Sequence, residues 1–106
     1  MVDIKNTVLK LNEMAAINAA AAADGDGAAI DYTKKDDGKI LLLIGGANGK
    51  AVIKKGDMIQ GVRDMEIDVT TAEKAIVVES GRFMNRDGKV VVSGLSGVTV
   101  RAVELP

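Results

Sequence analysis

From Ala28 onward the chain is a succession of short β-branched runs, cut roughly every ten residues by glycine, Asn-Gly or Asp-Gly. This punctuation restricts the fold more than any other feature, because connections so short carry tight turns and cannot hold the crossover helices that join parallel strands. The expected fold is all-β: an antiparallel β-sandwich or small barrel of six to eight short strands. Its 106 residues suffice for one domain with its own core. That core must be aliphatic, since 47% of the chain is hydrophobic but only 2% aromatic, with Tyr32 and Phe83 the only rings.

Particular strands can be placed. Ala28 to Tyr32 suits a short strand, and Lys39 to Ile44, apolar on both faces from Ile40, reads as one buried from both sides. Asn48-Gly49 signals a hairpin into Lys50 to Lys54, where Ala51 and Ile53 share a face. Met65 to Thr70 alternates cleanly, with Met65, Ile67 and Val69 inward and Glu66 and Asp68 outward. Arg86-Asp87-Gly88-Lys89 suits a type I′ turn, and the phase shift at Val103 and Glu104 suggests a bulge near Ala102. Residues 1–23 differ in composition, with seven alanines between Ala15 and Ala23. Val8, Leu11 and Ala15 sit at helical spacing and alanine favours helix, whereas Asn12 and Asn18 do not, so this segment is read as an N-terminal arm, extended or helical, preceding a β domain of residues 24–106.

The residue chemistry argues against catalysis. There is no histidine and no cysteine, so general acid–base and thiol chemistry lack their usual carriers. Gly45 to Ala51 resembles a phosphate loop only superficially: Ile44 stands where the first glycine belongs and Ala51 replaces the magnesium-binding hydroxyl. Asp24 and Asp26 are the weak candidates for a calcium site, but their spacing lacks the terminal glutamate of an EF-hand, and aspartate–glycine pairs turn chains without any metal. No cofactor is expected.

Fourteen basic residues against fifteen acidic give a net charge of −1, with no broad attraction to nucleic acid or anionic lipid. No apolar stretch is long enough to span a bilayer. The Ala21-Ala22-Ala23 stretch resembles a signal cleavage site, but Asp3, Glu13 and Asn18 spoil the flanking pattern. The most individual stretch is Glu79 to Asn85, where Arg82 stands beside Phe83. Both types are enriched at interface hot spots, although Phe83 plugging the end of the sandwich while Arg82 lies over it or pairs with Glu79 is the weightier reading.

Several segments together resemble a group of small proteins of tailed double-stranded DNA bacteriophages and prophages, encoded among the virion structural genes near the major capsid protein. They are residues 26–31 (DGAAID), 37–44 (DGKILLLI), 51–57 (AVIKKGD), 60–62 (QGV), 78–83 (VESGRF) and 103–106 (VELP), about half the chain. The likeness is to virion accessory proteins of the head-decoration type; a tail protein is the nearest alternative. It implies a non-enzymatic β-sandwich, often a homo-oligomer, that adds to the outside of the assembled head with the major capsid protein as partner, in a virion assembled in the bacterial cytoplasm. It also implies an N-terminal arm over the lattice, but no family motif fixes binding residues; the candidate interface residues, read from this chain alone, are Met14 and Ile17 in the N-terminal segment and Arg82 and Phe83 in the turn-rich stretch. A carbohydrate- or cell-surface-binding module is the rival class, disfavoured by the shortage of exposed-ring candidates.

Overall fold

Val2 and Ile4 alternate with Asp3 and Lys5, and in the computed structural model, which describes residues 2–18, 21–22, 27–32, 38–94 and 97–106, this alternation builds the strand that joins the fold together. The elements are β1 (Val2–Val8), β2 (Ala21–Ala22), β3 (Ala28–Asp31), β4 (Ile40–Gly45), β5 (Gly49–Ile53), β6 (Met65–Val69), β7 (Lys74–Val78), one helical turn α1 (Ser80–Phe83), β8 (Lys89–Gly94) and β9 (Thr99–Glu104). The strands form a nearly closed, barrel-like sheet in the order β6-β5-β8-β3-β1-β9-β4-β7, with β2 also paired to β9. The body measures 36 × 33 × 20 Å, flattened toward the two-layer thickness of a sandwich. The expected all-β class is thus what forms.

The segment expected to be an arm is, over residues 2–8, the centre of the sheet. β1 runs parallel to β3 from Val2↔Ala28 to Lys5↔Asp31, then parallel to β9 from Asn6↔Ala102 to Val8↔Glu104. Residues 2–8 are therefore no arm: β1 belongs to the same body as the described residues beyond 27, with Ile4 only 5% exposed in the shared core. Among the described residues, its two pairings are the parallel ones in an otherwise antiparallel sheet.

Other strands lie where the alternation places them, with partners that differ from expectation. Ile40, Leu42 and Ile44 face the core, but Leu41 and Leu43 on the other face stay half-exposed, so β4 is not covered on both sides. Asn48-Gly49 is not a hairpin, because β4 pairs with β7 and β9 whereas β5 pairs with β6 and β8. The Arg86 to Lys89 turn is not type I′, which needs positive φ at both central residues. Gly88 has φ of 86° but Asp87 does not, and the Gly88 N–H donates to Asn85 O at 2.9 Å. Asp57 holds this turn by accepting from the Arg86 N–H at 2.7 Å. Nearby, Gly56 is required by contact: a Cβ there would lie 2.2 Å from the Met84 carbonyl oxygen.

No bulge interrupts β9, whose pairing with β4 runs unbroken from Ile40↔Glu104 to Gly45↔Thr99. Val103 and Glu104 are both buried because the two faces of the strand are covered at this end. Glu104 shares the inward side with its partner Ile40, whereas Val103 lies outward beside its β1 partner Thr7, itself buried.

Ile4→Ala should lower the unfolding free energy by about 3 kcal/mol in denaturant titration. A chain beginning at residue 24 should lose its cooperative thermal transition altogether, since β3 and β9 would both lack their neighbour; a sharp melt near the wild-type temperature would restore the arm interpretation.

Candidate functional site

After β1 the chain leaves the sheet and returns as β2 beside the other half of β9. The excursion is tied at both described ends. The Leu9 N–H donates to Glu104 O at 2.9 Å, and at the return the Asn18 N–H donates to Thr7 Oγ1 at 2.8 Å while its side-chain Nδ2 donates to Asn6 O at 3.0 Å. Between these ties the chain turns at Asn12, with φ of 59°, and the Glu13 N–H reaches Lys10 O. Asparagine tolerates this left-handed conformation better than most residues, so it suits this turn although it suits no helix.

Residues 10–18 are exposed throughout, and the apolar ones are the notable members. Leu11 is 77% exposed, Met14 fully so, and Ile17 40%. Covering a fully exposed side chain of this kind, such as Met14, with apolar surface yields about 1.5–3 kcal/mol, and correspondingly less for the half-covered Ile17. One tethered loop thus presents three exposed apolar side chains. Met14 and Ile17 thus lie together on one exposed loop, and Leu11 joins them. Sequence reading missed Leu11 because Val8, Leu11 and Ala15 fit a helical stripe, which suggests a buried face rather than a protruding one.

The other candidate pair lies elsewhere. Phe83 closes α1 with its ring buried at 8% exposure, and Arg82 Nε pairs with Glu79 Oε2 at 3.1 Å on the surface. The pair forms one wall of an open groove of about 730 Å³, whose opposite wall is residues 59–66. That opposite wall is the end of a loop pinned at its base: Asp64 accepts from the Lys55 N–H at 2.7 Å and from Lys54 Nζ at 2.9 Å. The Lys55 N–H first, and Lys54 second, hold the Asp64 carboxyl below the usual aspartate range. Asp24 and Asp26, and the charged run Lys34 to Asp37, lie outside the described residues.

Neither ring is placed to stack on a sugar. Tyr32 is 5% exposed, and its hydroxyl donates to Leu41 O at 3.1 Å. Burial first, and the charge of Glu104 second, push its ionisation well above the ordinary tyrosine range. No family model matches this chain, and no curated protein or solved structure matches it.

The Tyr32 shift has a definite sign. The folded state favours the neutral phenol, so its contribution is complete below the unfolded value of about 10 and declines as pH rises past it. The melting temperature should therefore fall above about pH 10, and Tyr32→Phe should remove the tyrosine-linked part of that fall while costing about 1 kcal/mol at neutral pH through the lost hydrogen bond. An unchanged alkaline limb in Tyr32→Phe would overturn the assignment.

Proposed function

We propose that this protein is a non-enzymatic binding module of a phage virion, of the head-decoration type, which attaches to the outside of the assembled shell through the loop of residues 9–18. The observation that carries this reading is the tethered apolar loop, with Leu11, Met14 and Ile17 exposed and both ends hydrogen-bonded to the central strands β1 and β9. The capsid as partner rests on the resemblance of the sequence segments. An aliphatic barrel with short turns suits an attachment protein, which must hold its shape while a large, repetitive surface supplies many equivalent sites. If subunits associate with one another, modest contacts at each site gain effective affinity. Binding to the assembled form alone would in turn stabilise the shell by mass action. The rival glycan reading loses its best handle, because Tyr32 and Phe83 are both committed to the core.

The test is a pelleting assay with empty heads built from the major capsid protein of the same phage. Wild-type protein should co-sediment saturably, and the combined variant Leu11→Ser, Met14→Ser, Ile17→Ser should stay in the supernatant with its melting temperature within about 2 °C of wild type, since surface substitutions away from packed groups change stability little. A variant that pellets as well as wild type would remove the loop from the interface. Failure of the wild type to pellet, with saturable retention on a glycan array instead, would replace the capsid reading.

A further inference from the structure

The strand order ends at β6 and β7, which are consecutive in the chain yet not paired with each other. The sheet is therefore slit along one line. Residues 70–73 close one end of the slit, held there by the Gly46 N–H donating to Thr71 O and by Arg101, whose guanidinium grips both carboxylate oxygens of Glu73. Between the two strands lies a cleft of about 210 Å³ lined by Ile44, Ile67, Val69 and Ile76, with Asp68 and Lys74 at its margin. Ile67 and Ile76 face the core but are only partly buried, as expected of inward side chains that lack a neighbouring strand.

The two edges are not equally protected. β6 presents Glu66 and Asp68 outward, both exposed. β7 reads Lys74-Ala75-Ile76-Val77-Val78: beyond the lysine at the closed end it has no charge, no proline and no break in its register with β4, and Val77 is 54% exposed. Among the described residues no strand pairs with this edge of β7, and bare edges of this kind are templates for strand addition.

We propose that the slit accepts an extended segment of a partner protein as an added strand on β7, with alternate side chains apolar and basic. The apolar set would enter the cleft beside Ile67 and Ile76. The opposite set would lie outward beside Glu66 and Asp68, where lysine or arginine complements the two carboxylates. Among the described residues, Asp68 pairs with Lys50 at 3.3 Å on the open surface, a weak pairing that an incoming cation can replace. The segment is short, matching the five residues of β7, and enters from the Met65 and Val78 end because residues 70–73 bar the other. Backbone hydrogen bonds would supply affinity and the alternation specificity. This site is separate from the loop of residues 9–18, so it stands or falls independently of attachment through that loop.

The test uses two fluorescent, end-capped peptides of about seven residues, one alternating valine with lysine and one valine with glutamate. The lysine peptide should bind saturably by anisotropy, about tenfold more tightly than the glutamate peptide, and should slow hydrogen exchange at the amides of residues 74–78. The double substitution Glu66→Lys, Asp68→Lys, on exposed positions, should reverse the preference while leaving the melting temperature nearly unchanged. Equal binding of both peptides, or binding without protection of 74–78, would overturn the proposal. So would a dimer by light scattering in which those amides are already protected without peptide, since a second copy would then occupy the edge.

Discussion

The parallel seating of β1 between β3 and β9 is the constraint on which the rest depends. Its first half completes the half of the sheet containing β3, β8, β5 and β6, and its second half completes the half containing β9, β4 and β7. Ile4 enters the common core at the changeover, and Thr7 is buried on the opposite face. One seven-residue strand thereby fixes the relative position of both halves. It also fixes where the exposed loop emerges, because Thr7 and the β1 backbone are what Asn18 grips on its return.

That arrangement explains what was legible in the sequence and what was not. Alternation revealed which side chains of β5 and β6 face inward, because a half-wet strand writes its facing directly into residues such as Ile67 and Asp68. Partners were not legible. Asn48-Gly49 marks a reversal, but the chain then crosses to a different part of the sheet, and turn chemistry describes only the local geometry. β1 escaped recognition since Asn6 stands at an inward position and the strand changes neighbours midway, so no single face stays apolar over its length. The shift at Val103 and Glu104 came from cover on both faces, which a one-dimensional pattern cannot tell from a bulge.

The candidate site was partly legible. Met14 and Ile17 were identifiable as apolar residues in a segment otherwise unlike a core, whereas Leu11 fitted a helical stripe that the chain does not form. Arg82 and Phe83, adjacent in sequence, divide between surface and interior because the turn of α1 points one into solvent and the other into the barrel. The slit between β6 and β7 had no sequence signature at all. Its two strands look like an ordinary hairpin joined by a short link, and only the failure of their backbones to pair distinguishes them.

The direction of β1 also governs how this scaffold can be joined to other proteins. Because β1 and β9 point the same way, the exposed loop and Pro106 emerge from one end of the barrel, with Leu9 bonded to Glu104 and Leu105 to Lys39. Val2 lies at the opposite end, roughly 20 Å from the base of the loop at ordinary strand rise. Cargo fused ahead of Val2 would project away from the apolar loop, whereas cargo fused behind Pro106 would crowd it, so the two junctions are not interchangeable for display.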